Sequence, residues 1–277
     1  MKRLDGNVTI ITGGGKGIGF GMATAFAREG SNLVLTGRNM ERLQQAQQKL
    51  ESEWGVKVLP IVADGSDENA VKMVVAKTVE TFGKIDTLIN NAQVSKSGLP
   101  LIEHTREDID LAMFSGVYAA FFYMKECFPY LKESRGSVIN FASGAGLYGK
   151  PGQSSYAAAK EGIRGLSRVA ATEWGPDGVR VNVVCPLAMT ESLSAWKESY
   201  PELFAKTIRD IPLGRFADPV EDIGRTCVFL ASEDAAYSAF IASKAGQIES
   251  SIVFSPVVDL PRIMMPAIAF STPVSIS

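Results

Sequence analysis

Short apolar runs alternate along the chain with longer stretches in which apolar residues recur every three or four positions. Val8–Ile11, Asn32–Leu35, Val56–Val62, Ile85–Ile89, Ser137–Phe141 and Val179–Val184 are rich in β-branched residues. They are continuous runs, the pattern of strands covered on both faces. Between them, Ile18–Glu29, Met40–Glu53, Glu68–Phe82, Glu107–Lys132 and Ser155–Trp174 carry the spacing of amphipathic helices. Gly30, Gly55, Gly83, Arg135-Gly136 and Gly175-Pro176 stand where these helices should stop. The alternation predicts an α/β fold: a single-domain, doubly wound parallel sheet with helices on both faces. Residues 1–240 are expected to form that domain. An insertion at about 189–215 follows a strand, at the carboxyl edge where ligands bind in such sheets. Residues 241–277 form a divergent apolar tail, broken by Pro256, Pro261, Pro266 and Pro273.

The first strand leads into Thr12-Gly13-Gly14-Gly15-Lys16-Gly17-Ile18-Gly19, and a helical period follows. Glycines at 13, 17 and 19 permit a tight turn, close approach of a pyrophosphate and close helix–strand packing. The helix start offers free N–H groups and a positive dipole end to phosphate. Gly13, Gly15, Lys16, Gly17, Ile18 and Gly19 are therefore expected to border a nicotinamide dinucleotide. The second strand ends Leu35-Thr36-Gly37-Arg38-Asn39. An acidic residue there would hold the ribose 2′-OH of NAD. Gly37 leaves that place empty, and Arg38 supplies a planar cation suited to a phosphate. With Lys16 as a second charge, NADP(H) is expected in preference to NAD(H).

Composition removes several other classes. The formal net charge is −2 and no dense Lys/Arg run occurs, which argues against a nucleic-acid or anionic-membrane surface. No stretch reaches the ~18 apolar residues of a membrane span, and the charged start of the chain has no apolar signal-peptide core. Cys127, Cys185 and Cys227 are far apart and form no CxxC, which fits a reducing, cytoplasmic setting. His104 is the only histidine and is expected at a helix start, in a surface or capping role. A histidine triad or a zinc site then lacks material, and no metal is expected.

The second half holds Ser143 and then Tyr156-Ala157-Ala158-Ala159-Lys160. Tyrosine and lysine four apart share one helix face. A free tyrosine, with a pKa near ~10, is a poor base at neutral pH. A neighbouring ammonium favours its phenolate. Ser143, after a buried strand, is placed to hydrogen-bond a substrate oxygen. Ser143, Tyr156 and Lys160 are the candidate catalytic residues.

In this order, the motifs resemble those of the short-chain dehydrogenase/reductase family: Thr12-Gly13, Gly17 and Gly19; Asp64; Asn90-Asn91-Ala92; Ser143; Tyr156 and Lys160; Arg180-Val181-Asn182 with Cys185-Pro186. The resemblance runs from about Leu4 to Tyr237. It implies a Rossmann fold and an oxidoreductase that passes hydride between a nicotinamide and a carbonyl carbon. It places Asp64 and Gly65 beside the adenine, Asn91 and Ala92 along the cofactor, and Met189 and Thr190 near the nicotinamide amide. Lys160 would bind the nicotinamide ribose while supporting Tyr156, the acid in reduction and the base in oxidation. In similar proteins the helices at Glu107–Lys132 and Ser155–Trp174 form subunit contacts, so a homodimer or homotetramer is implied.

Four positions depart from the family pattern. Gln93 replaces the glycine of Asn-Asn-Ala-Gly. Met113 stands where a helix asparagine usually holds a water next to the lysine; losing such a relay is expected to slow turnover by about 10²-fold. Leu187 replaces the glycine after Pro186. The usual end is replaced by Ala236-Tyr237-Ser238-Ala239-Phe240 and the tail. These changes keep two other functions open: a catalytically impaired NADP(H)-binding protein, and a non-redox lyase or isomerase using the Tyr–Lys pair. The expected substrate pocket, with Gln93, Ser143, Ala145, Gln153 and Leu187, is mostly apolar, with Val94, Leu147, Tyr148 and Trp196 nearby. A small neutral or partly apolar ketone or secondary alcohol suits it.

Overall fold

The computed structural model describes residues 2–209, 211–238 and 252–253. In chain order they form β1 (Val8–Thr12), α1 (Gly17–Arg28), β2 (Asn32–Gly37), α2 (Met40–Trp54), β3 (Val58–Val62), α3 (Glu68–Phe82) and β4 (Thr87–Asn90). Then come α4 (Arg106–Ala112), α5 (Ala119–Ser134), β5 (Ser137–Phe141), α6 (Gly144–Tyr148), α7 (Ser154–Trp174) and β6 (Arg180–Cys185). α8 (Glu191–Ser199), α9 (Pro201–Arg209), α10 (Arg225–Ala231) and β7 (Ile252–Val253) complete the order. All strand pairs are parallel, in the spatial order β3-β2-β1-β4-β5-β6-β7. This is the Rossmann arrangement expected from the sequence.

The continuous apolar runs have a direct cause. Neighbouring residues of one strand enter different cores: Ile11, Leu33, Leu35 and Ile89 pack with α1, α2 and α10. Ile10, Val34, Leu88 and Val138 pack with α3, α5 and α7 on the other face. Side chains alternate across a strand, so a sheet covered twice needs apolar residues at every position. The order reverses between β1 and β4, and the crevice outside the carboxyl ends of these strands is where such sheets bind ligands.

Four features differ from the sequence reading or extend it. The segment Glu107–Lys132 is not one α-helix: α4 and α5 are joined by a π turn at Met113–Tyr118. The apolar stripe runs on through the turn, so its period does not reveal the extra residue. The insertion at 189–215 holds two helices, α8 and α9, and no residue of α9 is buried. Its aromatic rings meet each other and the residue just after it, Trp196 with Phe204 at 5.9 Å and Phe204 with Phe216 at 5.4 Å. From the tail, Ile252–Val253 pairs with β6 as a seventh strand, in register Val184↔Ile252; the rest of 241–277 lies outside the described residues. His104 follows a short 3-10 turn, Leu101–Glu103, and Thr105 rather than His104 caps α4. No helix among the described residues is long and apolar enough to cross a membrane.

Candidate active site

A cleft of about 640 Å³ opens at the carboxyl ends of β2, β1 and β4. Gly13, Gly15, Lys16, Arg38, Asp64, Gly65, Ala92 and Gln93 all line it, bringing together residues spread over eighty positions of sequence. The glycine turn is tight. Gly13 has φ +70° and Gly17 φ +55°, where side chains are strained. A Cβ on Gly19 would lie 2.2 Å from the Gly13 carbonyl oxygen, and one on Gly13 would lie 3.0 Å from Asn91 Nδ2. Ile18 and Gly19 are buried and serve packing under the turn. Asn91 also turns inward: its side chain donates to the Thr12 carbonyl at 3.0 Å, and its backbone N–H donates to Thr12 Oγ1 at 2.9 Å. Asn91 thus braces the turn, while exposed Ala92 faces the cleft. A bare trough of glycines and alanine, closed below by these contacts, fits a pyrophosphate on the N-terminus of α1.

Cations gather at one end. Lys16, Arg38 and Arg42 line the same cleft. The Lys16 pKa is lowered, first by burial and then by the charges of Arg42 and Arg38, with Glu191 opposing. Arg42 was not singled out from the sequence. It sits in the first turn of α2, whose cap Asn39 accepts from the Arg42 N–H at 3.0 Å. A Cβ on Gly15 would be 3.6 Å from the Arg42 Cβ. An arginine one helical turn after Arg38 is the signal that could have found it. Asp64 is partly buried, which opposes ionisation. Hydrogen bonds from the Ser66 N–H and hydroxyl, with the Arg38 charge, outweigh this and hold its pKa below the usual carboxylate value.

The candidate catalytic residues lie beyond β5. Ser143 caps α6, accepting from the Ala145 N–H at 3.1 Å, and its hydroxyl lies beside the Tyr156 phenol. Lys160 Nζ donates to the Phe141 carbonyl at 2.7 Å and stands 5.6 Å from the Tyr156 ring centre. Burial raises the Tyr156 pKa, and the Ser143 hydroxyl works against that rise. Burial also lowers the Lys160 pKa to about 7. Its pKa in an unfolded chain is higher, near ~10.4. Between these values the unfolded chain binds the extra proton, so this group makes folding stability rise with pH across that window. Lys160→Met is expected to flatten that rise, read as melting temperature between pH 7 and 9. An unchanged slope would contradict the lowered Lys160 pKa.

The remaining residues expected at the pocket lie on the segments after β5 and β6, outside the lining of the cleft. Ala145 is buried on α6, and Gln153 precedes α7. The Leu187 carbonyl accepts from the Ala217 N–H at 3.0 Å, and the Met189 N–H donates to the Ala217 carbonyl at 2.9 Å. Thr190 caps α8, accepting from the Leu193 N–H at 3.3 Å. One departure from the family pattern reaches the π turn: the Gln93 carboxamide lies against Gly116, three residues after Met113. Gln93 is 4% exposed, and neither amide atom has a hydrogen-bond partner among the described residues. Such groups cost about 1–3 kcal/mol each.

Residues 13–239 match a family model described as enoyl-(acyl carrier protein) reductase. A 12alpha-hydroxysteroid dehydrogenase of Clostridium sp. is 60% identical over 243 residues, covering 86% of this chain and 94% of the relative. The 3-oxoacyl-[acyl-carrier-protein] reductase FabG of Thermotoga maritima is 35% identical over 237 residues, covering 85% and 94%. Among solved structures, levodione reductase aligns with a TM-score of 0.80 at 33% identity, covering 86% of this chain and 95% of that one. L-Sorbose reductase from Gluconobacter frateurii, complexed with NADPH and L-sorbose, aligns with a TM-score of 0.80 at 30% identity, covering 86% and 95%.

Proposed function

The chain belongs to the short-chain dehydrogenase/reductase family, NAD(P)-dependent oxidoreductases of ketones and alcohols, and we propose that it is an NADP(H)-dependent hydroxysteroid dehydrogenase. The observation that carries the reaction is the Ser143–Tyr156–Lys160 cluster, one strand along the sheet edge from the glycine-lined cleft. The steroid as substrate rests on the 60% identity to a 12alpha-hydroxysteroid dehydrogenase. It agrees with the mostly apolar pocket expected from the sequence. The cofactor preference rests on Lys16, Arg38 and Arg42 at one end of the cleft and on the absence of an acid at Gly37.

Bound NADP(H) supplies or accepts the hydride. Tyr156 moves the proton: its hydroxyl donates to the carbonyl oxygen in reduction and its phenolate accepts from the alcohol in oxidation. Ser143 Oγ holds that same oxygen in place. Lys160, fixed by the Phe141 carbonyl, favours the phenolate when it is protonated and reaches toward the nicotinamide ribose. Gly13, Gly15, Gly17, Ala92, Met189 and Thr190 shape the cofactor trough, with Asp64 and Gly65 at the adenine.

A second copy of the chain packs on the aromatic face of the π turn and α5, forming a homodimer or homotetramer. Phe114, Tyr118 and Phe121 are each more than 40% exposed there, a larger apolar display than single surface residues present. A cytoplasmic location suits the free, buried Cys127, Cys185 and Cys227.

The test follows absorbance of the nicotinamide with hydroxysteroids and their ketones, against short alcohols and sugar alcohols as controls. NADP+-dependent oxidation of a hydroxysteroid is expected, with kcat/KM at least about tenfold above the controls. Turnover confined to the small alcohols would sink the steroid assignment. No turnover at all would sink the redox reading.

A further inference from the structure

Within the π turn at Met113–Tyr118, the Ser115 side chain hydrogen-bonds backbone on either side of it. Ser115 Oγ accepts from the Val94 N–H at 3.0 Å and lies 2.8 Å from the Val94 carbonyl. It lies 2.6 Å from the Leu111 carbonyl, four residues back on the same helix. A π turn lengthens the backbone ring by one residue and loosens the ordinary i to i+4 bonds. The hydroxyl has a single proton, which goes to Leu111 or to Val94, while its lone pair binds the Val94 N–H. Ser115 therefore ties the turn to the loop after β4 through the Val94 N–H, whichever carbonyl takes its proton.

Both ends of this tie face the proposed site. Val94, Ser115 and Gly116 line the cofactor cleft. On its other side the turn presses on α7: a Cβ on Gly162 would lie 2.9 Å from Val117 Cγ2. Gly162 is two residues after Lys160, so the turn sets the height of α7 and hence of Tyr156 and Lys160. Met113, at the start of the turn, has no hydroxyl or amide that could make this link.

We propose that Ser115 is a positioning residue: its hydroxyl pins the π turn to Val94 and thereby holds the Tyr156–Lys160 face of α7 in register with the cofactor cleft. This rests on the redox reading given above. π turns recur at functional sites, where an extra residue in a helix sets a local geometry an α-helix lacks. Small misplacements of catalytic groups are costly; a shift near ~1 Å can cost about 10²-fold in rate.

The experiment compares Ser115→Ala with Ser115→Thr, which keeps the hydroxyl, in the full chain. Hydride transfer to a hydroxysteroid ketone is followed with NADPH, alongside NADPH affinity by fluorescence and melting temperature. Ser115→Ala is expected to lose at least about tenfold in kcat, with NADPH affinity within about twofold and a displaced pH profile of kcat. Ser115→Thr is expected to recover most of the rate and the wild-type profile. An unchanged kcat in Ser115→Ala overturns the proposal. So does a loss of rate that merely follows a loss of folded protein, with an unmoved pH profile. Failure of the wild-type protein to turn over any steroid would instead strike the parent reading, whereas Tyr156-dependent activity indifferent to Ser115 strikes only this one.

Discussion

Replacing Tyr156 by phenylalanine is expected to lower kcat by about 10²–10⁴-fold, the range for losing a positioned general acid or base. NADPH affinity should stay within about twofold, because the glycine trough and its cations are untouched. The phenol lies beside the Ser143 hydroxyl, and its ring faces Lys160. Phenylalanine keeps the ring and removes the hydroxyl that carries the proton. The pH dependence should follow the same assignment. Oxidation needs the phenolate and should rise with pH, whereas reduction needs the phenol and should fall in alkali. Steady-state rates in both directions, with fluorescence titration of NADPH, decide it. Near wild-type turnover in Tyr156→Phe would remove Tyr156 from the chemistry.

The second large effect concerns the cofactor. Arg38→Asp should weaken NADPH by about 10²-fold: a charge-assisted hydrogen bond contributes about 1.5–3 kcal/mol, and each 1.4 kcal/mol is tenfold in affinity. The new carboxylate also repels the 2′-phosphate. NADH lacks that phosphate, so its affinity should change by no more than about threefold or improve through a new ribose contact. Lys16 and Arg42 remain in the variant, which is why the loss is large without being complete. Titrating both nucleotides against both proteins measures the difference. Equal weakening of NADPH and NADH would mean that Arg38 supports the fold of the turn instead of reading the phosphate.

The strands were legible because each lies under helices on both sides. Ile10 and Ile11 must both be apolar when one faces each core. The glycine turn was legible because positive φ and a carbonyl 2.2 Å from a would-be Cβ leave little but glycine to choose. Ser143, Tyr156 and Lys160 could be put forward as candidates because their residue types and spacing suit that chemistry. Arg42 was passed over because an arginine in a helix looks like a solvated cation until the fold sets it over Gly15. Asn91 was expected along the cofactor, and only the contact with Thr12 turns its side chain toward the brace beneath it.

Sequence by itself thus determined the parallel sheet, the nucleotide trough and the identity of the candidate catalytic set. Those follow from local periodicity and from residue types with few alternatives. Tertiary structure decided the π turn, the Ser115 tie and the meeting of Gln93 with Gly116. An apolar stripe has nearly the same period through an α or a π turn, and a hydroxyl twenty-one residues from its partner carries no local signal. Such contacts are settled by which elements pack together, and packing is a property of the whole sheet.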